Sequence, residues 1–432
     1  MLFGALSLMS FQLADSIFIA QLGVAPLAAV GFTVPIYQLI IGFQVGLGIA
    51  TTALISQALG ANDTGRAKQL GGLVIIIGAS LIALLCLALW FLRAPILNML
   101  GGEPELLPTL SLFWMPWLAS AWIGAMLYFG YSLCRAHGNT LLPGITMVVT
   151  SLINIGLDPL FIFVFDWGLA GAAYATIVSF LLGCLVVFPR VISLHWLKFH
   201  FERGAIFPSI KQIGSITGPA MLSQLMPSIS AMFATALVAA YGTAAVAAWG
   251  LGTRLEFFSI VVVLALTMSM PPMIGRYWGA GDLDSIRQLV KLAVKFVLIW
   301  QLAIALIWLL LCDDISTLMA TDISVSTVLQ DYLLRVPLSY GALGLCMMMV
   351  SVCNAMGLPM RALLISCLRL FLCYLPLLWI GSKIAGLDGL MSGAMAGNLA
   401  AGLMAWLLYQ KGFKKALEKA PRKNAQASSN SC

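Results

Sequence analysis

The chain has 432 residues, of which 61% are hydrophobic and only 9% are charged, and its mean hydropathy is +1.00. A soluble domain carries roughly 25% charged residues to keep its surface hydrated, so this composition excludes a soluble protein and predicts one embedded in membrane lipid. The formal net charge of +7 comes from basic residues spread over short loops and the C-terminal tail, without an aromatic-interleaved patch, which argues against a nucleic-acid partner.

Twelve segments are long and apolar enough to form membrane-spanning helices, each of which needs about 20 apolar residues. The sequence therefore predicts an all-α integral membrane protein with twelve transmembrane helices. In chain order, the spans are predicted at residues 1–22, 27–56, 72–98, 108–132, 141–165, 168–190, 212–240, 244–275, 289–312, 326–352, 360–383 and 386–410.

Lysine and arginine segregate with the parity of the loops between these spans. One set of alternate loops is mainly acidic, and its only basic residues are Arg93 and Lys383. The other set and the tail carry Arg66, Lys68, Arg135, Arg190, Lys198, Arg203, Lys211, Arg276, Arg287, Lys291, Arg361, Lys411, Lys414, Lys415, Lys419, Arg422 and Lys423. The positive-inside rule then predicts a multi-pass protein of the bacterial inner (cytoplasmic) membrane with both termini in the cytoplasm.

The two halves of the chain are similar when they are aligned at one constant offset. Residues 22–31 align with 241–250, residues 60–63 align with 279–282, and Gly138 aligns with Gly357. Each half holds six predicted spans, an even number, so the halves begin on the same side of the membrane and form parallel repeats. We therefore predict two six-helix lobes related by pseudo-twofold symmetry. The predicted parts are an N-lobe at 1–190 (helices 1–6), a cytoplasmic linker at 191–211, a C-lobe at 212–410 (helices 7–12) and a cytoplasmic tail at 411–432.

The repeat also bears on the start of the chain. Met1 aligns with Ala220, which directly follows Pro219, so the first half lacks a counterpart of the segment before Ala220. We expect the natural chain to begin further upstream. No cleavable signal peptide is evident, because the chain begins inside an apolar segment.

Several classes of chemistry find no support in the sequence. The nine cysteines follow no metal-ligand spacing and form no framework of pairs, so we predict neither a metal site nor structural disulfides. No Walker, kinase or HExxH motif is present, which argues against ATP as the energy source and against an enzyme. Two lobes with a substrate site between them are typical of secondary transporters that work by alternating access.

Acidic residues are rare within the predicted spans. Asp15 lies in the first span and Asp158 in the fifth, where Asn154 precedes it by four residues and shares its helix face. No basic residue lies within the first, second, fifth or sixth span, apart from Arg190 at the end of the sixth. A carboxylate at membrane depth must face a cavity, find a partner or take up a proton. We interpret the two acids as an ion-coupling site; the competing interpretation is a structural pair hydrogen-bonded to hydroxyl groups.

Four short motifs follow one another in a recognisable order: Asp15 before residues 23–31, the loop 57–61, the segment 135–138, and the Asn154-x-x-x-Asp158 pair. Together they resemble the multidrug and toxic compound extrusion (MATE) family, and most closely its DinF-like branch. The resemblance covers the whole chain and implies the same architecture of twelve helices in two lobes.

The resemblance implies an N-lobe cluster that couples cation entry to export, and this cluster comprises Asp15, Asn154, Asp158 and Thr176. Asp15 is the expected proton acceptor, Asn154 and Asp158 are its hydrogen-bonded partners, and Thr176 contributes a hydroxyl group. An asparagine of some relatives is replaced by Tyr131, and the seventh span lacks the acid of the sodium-coupled branch. These departures favour H+ over Na+ as the coupling ion, although the same oxygen atoms also suit a hard cation such as Na+.

Four further residues are candidates for a secondary site or the substrate cavity: Pro35, Tyr131, Arg254 and Glu256. Arg254 and Glu256 are two residues apart in the eighth span, so they point to different faces and do not pair with each other. Glu256 is interpreted either as a second cation site or as half of an ion pair with another helix.

These observations predict a secondary active multidrug efflux transporter that exports lipophilic or cationic compounds in exchange for protons. The alternatives are a sodium-coupled drug exporter of the same fold and a lipid-linked oligosaccharide flippase, which should line its cavity with several Arg or Lys residues. The expected partners are small-molecule drugs or organic cations and membrane lipid. We expect a monomer, with no cofactor other than the coupling ion.

Overall fold

The computed structural model describes residues 2–99, 107–200, 203–320 and 322–419, and all the regular elements within these ranges are helical. The α-helices in chain order are α1 Leu2–Gln21, α2 Val24–Gly60, α3 Thr64–Phe91, α4 Arg93–Met99, α5 Leu107–Ala136, α6 Leu141–Pro159, α7 Gly168–Ser193, α8 Arg203–Ala239, α9 Thr243–Ser259, α10 Val261–Ala280, α11 Leu283–Leu310, α12 Cys312–Met319, α13 Ile323–Arg335, α14 Tyr340–Ala355, α15 Pro359–Leu368 and α16 Leu375–Lys419.

The helices account for the predicted number of membrane spans. Ten helical stretches are long and apolar enough to cross a membrane, and α9 with α10, which bend by 43° at their junction, form an eleventh within the described residues. One of the ten, Pro359–Lys414, has 56 residues and would be about 84 Å long, far more than the roughly 30 Å of a bilayer core. Non-helical backbone angles at Ala385 and Gly386 divide it into two spans, which gives the predicted twelve.

The predicted boundaries of the third span are wrong, as is the start of the seventh, which is predicted at 212 whereas α8 begins at Arg203. Hydropathy predicts the third span at 72–98, but α3 already begins at Thr64 and ends at Phe91, and the separate helix α4 follows from Arg93. Asp63 explains the early start, because its carboxylate accepts a hydrogen bond from the Arg66 backbone N–H and caps the helix.

The internal repeat is visible in the way helices end. Gly138 follows α5, its counterpart Gly357 follows α14, and both have left-handed backbone angles, with φ of +86° and +71°. The Gly138 N–H donates to the Arg135 carbonyl oxygen at 2.8 Å, and the Gly357 N–H donates to the Asn354 carbonyl oxygen at 3.0 Å. Glycine suits this cap because it has no Cβ to clash in the left-handed region. Equivalent positions of the two halves thus adopt the same local structure.

The turns after α2 and α10 are also equivalent in the two halves, although one has asparagine where the other has glycine. Asn62 (φ +60°) after α2 corresponds to Gly281 (φ +76°) after α10, and asparagine tolerates the left-handed region better than most residues. The next residues, Asp63 and Asp282, both cap the helix that follows by accepting a backbone N–H bond, at 2.9 and 3.0 Å. Hence the sequence alignment of the two halves is matched by their local structure.

Two spans contain a π-helical segment. Leu160–Val164 follows Pro159 in the fifth span, and Arg369–Tyr374 lies inside the eleventh, so each half has one such segment in its fifth helix. A π-helical turn holds one residue more than an α-helical turn needs, and such turns are frequent at functional sites.

The structure divides into two compact units. Unit 1 comprises Met1–Ile229, Val261–Arg276 and Asn354–Met360, and unit 2 comprises Ser230–Ile260, Tyr277–Cys353 and Arg361–Cys432. In unit 1, α5 packs against α2, α3 and α7, and α1 packs along α6. Close approach is made possible by glycines, since a Cβ on Gly78 would collide with the ring of Phe129.

Candidate functional site

The candidate site of unit 1 lies where α1, α6 and α7 meet. Two edge-to-face aromatic pairs hold α1 in place: Phe11 with Phe180 of α7, and Phe18 with Phe163 of the π-helical segment, each with ring centroids 6.4 Å apart. Such pairs contribute about 0.5–1.5 kcal/mol each beyond the apolar area that they bury. They fix the side of α1 that carries Asp15 toward its neighbours.

One face of α6 is polar and buried. Ser151, Asn154 and Asp158 lie three and four residues apart, which places them on one side of the helix, and all three are buried, Asp158 completely. When the Asn154 amide is oriented to satisfy its neighbours, its nitrogen donates to Asp158 Oδ2 at 3.0 Å. Its oxygen then accepts from the Thr176 hydroxyl of α7, 3.2 Å away. This chain of hydrogen bonds links α6 to α7.

Asp15 of α1 is half-buried, and its Oδ1 atom is buried without a hydrogen-bond partner. Asp158 Oδ1 is in the same situation. The two carboxyl groups are close enough to interact electrostatically, and Tyr37 of α2 also interacts with Asp15. Within the described residues, every ion pair involves Arg335, so no base neutralises either acid.

The structure therefore brings together the four residues predicted for ion coupling: Asp15, Asn154, Asp158 and Thr176. Two carboxyl groups, one amide and one hydroxyl group form an oxygen-rich cluster in which Asp15 Oδ1 and Asp158 Oδ1 have no hydrogen-bond partner. Such a cluster can hold a proton between its acids or contribute ligands to a hard monovalent cation, since either reduces the charge that burial makes costly.

The secondary candidates in unit 1 do not join this cluster. Pro35 is exposed on α2, and Tyr131 is buried on α5 with its hydroxyl group next to Thr150. Neither forms a hydrogen bond or ion pair with the four coupling residues in the described part of the chain.

The secondary candidates in unit 2 differ from one another. Arg254 is exposed, whereas Glu256 is half-buried and accepts a hydrogen bond from the Tyr332 hydroxyl group at 3.2 Å. Glu256 also interacts electrostatically with Arg369 of the eleventh span. Arg254 and Glu256 point to different faces, as their spacing predicts, and the electrostatic partner of Glu256 lies on another helix.

Sequence reasoning misses two polar residues near the coupling cluster, Tyr37 and Ser151. The spacing of three residues between Ser151 and Asn154 is a signal by which Ser151 could have been found on the α6 face. Tyr37 has no local signal, because its proximity to Asp15 depends on how α1 and α2 pack.

Comparison with known proteins places the chain in a family. A family model described as MatE matches residues 1–160 and 219–380, which is most of both halves. The chain is 31% identical to the FAD transporter of Shewanella oneidensis over 90% of its own length and 88% of that protein. It is also similar to the Multidrug export protein MepA of Staphylococcus saprophyticus, with 23% identity over 69% of this chain and 67% of that protein.

Solved structures agree with this assignment. The chain superposes on the crystal structure of the Vibrio cholerae MATE transporter VcmN in the bent form with a TM-score of 0.94 and 56% sequence identity. The match covers 96% of this chain and 94% of that one. From the family match, the similar transporters and the shared fold, we conclude that this chain belongs to the MATE family of multi-pass membrane transporters.

Proposed function

We propose that this protein is a proton-coupled exporter of lipophilic or cationic compounds that works by alternating access. The proposal places it in the DinF-like branch of the MATE family, in the bacterial cytoplasmic membrane, as a monomer with both termini in the cytoplasm. The relatives named as multidrug export proteins support export as the direction of transport. The basic residues of alternate loops support the orientation.

One observation carries the proposal: two interacting carboxyl groups, Asp15 and Asp158, lie in the membrane-spanning helices without a base beside them. Two adjacent carboxylates in a poorly hydrated site cannot both stay charged at low cost, so the site gains stability when it takes up a proton. Asp15 is the acceptor in this proposal, because its Oδ1 atom is buried without a partner, whereas Asp158 already accepts a hydrogen bond from Asn154 through its other oxygen.

Coupling follows from a difference in affinity between two states. A proton that enters from outside neutralises Asp15, weakens its interaction with Asp158 and changes the packing of α1 on α6 and α7. The substrate binds the deprotonated state more tightly, so protonation shifts the population toward the state that releases it. The free energy of the proton gradient is thereby used to move the substrate outward.

The test uses the full chain in proteoliposomes and a fluorescent lipophilic cation. The pH gradient and the sodium gradient are collapsed separately; we expect uptake to stop only when the pH gradient is lost. Asp15→Asn should abolish drug-driven proton movement, because an amide cannot exchange the proton. Asp166→Asn is the matched control, since Asp166 is exposed and has a left-handed backbone that asparagine tolerates. Full coupled export by Asp15→Asn, or dependence on sodium alone, would contradict the proposal.

A flavin dinucleotide is a second candidate substrate, and it is favoured by the similarity to the FAD transporter of Shewanella oneidensis. FAD carries a pyrophosphate and is therefore an anion, unlike the cationic compounds above. Transport of FAD and of the fluorescent cation into the same proteoliposomes, each measured alone and in competition, distinguishes the two substrate classes.

A further inference from the structure

Unit 1 contains two segments from the second half of the chain, Val261–Arg276 in α10 and Asn354–Met360 at the end of α14 and the start of α15. The last residues of the first segment, Gly275 and Arg276, and residues 355–357 of the second lie beside the ends of α2 and α5 that we predict to face the cytoplasm. At this end of the helices, the first and second halves of the chain therefore contact each other within one compact unit.

The helices α2 and α10 touch through their backbones there. A Cβ on Gly60 would collide with the Arg276 carbonyl oxygen, and a Cβ on Gly275 would collide with the Ser56 hydroxyl group. Ser56 and Gly275 align with each other in the internal repeat, so the contact joins equivalent positions of the two halves. The two helices therefore cross at positions that are equivalent in the two repeats.

A polar contact lies on one side of the point where α2 and α10 cross. The Gln57 side-chain amide donates to the Ala355 carbonyl oxygen at 2.8 Å, at the end of α14. It also lies against Gly357, where a Cβ would be 3.3 Å from Gln57 Nε2. A residue of the first repeat therefore caps a helix end of the second.

The equivalent contact lies on the other side of the crossing, and here a residue of the second repeat reaches a helix end of the first. Arg276 is the counterpart of Gln57 in the second repeat, and its guanidinium group lies against Gly138, the counterpart of Gly357. A Cβ on Gly138 would be 3.1 Å from Arg276 Nη2. A residue of the second repeat therefore reaches the end of α5 in the first, so the two contacts are reciprocal.

The two contacts differ in charge. Gln57 is neutral, whereas Arg276 places a positive charge at the C-terminus of α5, where the helix dipole favours a cation. Arg276 forms no ion pair with any residue that the structure describes. Burial, with Arg276 and Lys68 nearby, holds the pKa of His137 beside this cap below its usual value, so the imidazole adds no second charge at neutral pH.

We propose that Gln57 and Arg276 are the positioning residues that keep this end of the carrier closed, and that both of their contacts break once in every transport cycle. The two side chains hold α14 to α2 and α10 to α5, so water and substrate cannot pass between the repeats while they are engaged. We expect the loss of Arg276 to have the larger effect, because its positive charge lies beside a helix C-terminus. This inference rests on the transport activity of the family and is independent of which ion drives it.

The first test is hydrogen exchange of the purified full chain in lipid nanodiscs. Arg276→Gln should make peptides that cover residues 56–60 and 354–358 exchange about fivefold faster, because the loss of a cation at a helix end shifts the balance toward the open state. Gln57→Ala should give a smaller acceleration of the same peptides. Arg190→Gln, an exposed arginine outside these contacts, is the matched control and should leave the exchange unchanged.

The repeat supplies a sharper test, because the two side chains can be exchanged. Gln57→Arg alone should overstabilise the closed state and slow both the exchange and the transport by about threefold. The double variant Gln57→Arg with Arg276→Gln should return within about twofold of the wild type, since each repeat then supplies the other's side chain. A double variant no closer to wild type than Arg276→Gln alone would overturn the reciprocal assignment.

Transport kinetics separate gating from simple destabilisation. A weakened closure increases the fraction of carriers open to the cytoplasm, so Arg276→Gln should lower the apparent KM on that side about fivefold with an unchanged melting temperature. A lower kcat and a lower melting temperature with unchanged KM would mean a structural role and would overturn the proposal. The exchange experiment needs no substrate, so its result can be interpreted even if the proposed substrate class is wrong.

Discussion

In the first half of the chain, Asp15 and Asp158 interact with each other and have no base beside them, whereas Glu256 in the second half lies close to Arg369. Glu256 occupies the position in the second repeat that Tyr37 occupies in the first. Tyr37 interacts with Asp15, while Glu256 interacts with Arg369 and accepts a hydrogen bond from Tyr332. We therefore expect the first half, and not the second, to supply the ion site of the proposed transport cycle.

The largest expected effect tests this difference directly. Asp158→Asn should reduce drug-driven proton movement at least about 100-fold, or about 2.7 kcal/mol, because it removes the second acid that makes protonation favourable. Glu256→Gln should reduce it less than about threefold, since Glu256 interacts with Arg369 and Tyr332 and not with a second acid. Proteoliposome assays with a pH indicator measure both. The comparison fails if the two variants lose coupling equally.

The next effect concerns stability. Arg369→Met should destabilise the protein by about 2 kcal/mol, because it leaves the half-buried Glu256 without its electrostatic partner. Adding Glu256→Gln to Arg369→Met should recover most of this loss. Arg254→Met, at an exposed position, should change the stability by less than about 0.5 kcal/mol. Thermal unfolding in detergent measures all three, and equal effects of the two arginine substitutions would rule out the pairing.

Removal of single hydroxyl groups gives a smaller contrast. Tyr332→Phe should cost about 1.5 kcal/mol, because Glu256 loses the hydrogen bond donated by this buried tyrosine. Tyr37→Phe should cost less than about 0.5 kcal/mol, since the tyrosine only interacts with Asp15 at longer range. The same unfolding assay measures both losses. A larger loss of stability for Tyr37→Phe than for Tyr332→Phe would contradict this prediction.

The smallest expected effect is a difference in stability between the two equivalent helix caps, Asp63 and Asp282. Asp282 accepts hydrogen bonds from both the backbone N–H and the hydroxyl group of Ser285, which lower its pKa, whereas Asp63 accepts one bond, from the Arg66 N–H. Asp282→Ala should therefore cost about 1 kcal/mol and Asp63→Ala about 0.5 kcal/mol.

The pH dependence of the Asp282 cap has a definite sign. Because hydrogen bonds lower the pKa of Asp282 in the folded protein, its stabilisation is complete above the ordinary aspartate pKa of about 4 and is lost as pH falls through the lower, folded value. The difference in melting temperature between wild type and Asp282→Ala should shrink from pH 6 to pH 3. A constant difference would mean that the carboxylate charge contributes nothing.

The sequence alone predicts the fold well because its signals are local. Apolar length locates the spans, and the caps at Asp63, Gly138 and their counterparts depend on neighbouring residues only. The boundary between the third span and α4 escapes prediction because most residues after Phe91 are apolar, so hydropathy does not record the break despite Arg93. The divide at Ala385 and Gly386 is predicted correctly, since a glycine lies there between two apolar runs.

The site is only partly accessible from the sequence. The rarity of acids within the spans identifies Asp15 and Asp158, and the spacing of four residues adds Asn154. The family resemblance adds Thr176, and the roles of all four stay predictions. The contacts of Gln57 with Ala355 and of Arg276 with Gly138 join residues far apart in the chain. The alignment of Gln57 with Arg276 is available from the repeat, but their reciprocal contacts require the packing of α2, α10 and α14.

The π-helical segment Leu160–Val164 begins two residues after Asp158. A helix that stores an extra residue can return to regular winding by letting that residue travel along the chain, with no break in its hydrogen-bond ladder. Each step of such a migration turns the portion between old and new positions by about 100° about the helix axis. A migration of this kind toward Asp158 would rotate that acid relative to α1 while both ends of the fifth helix stay anchored.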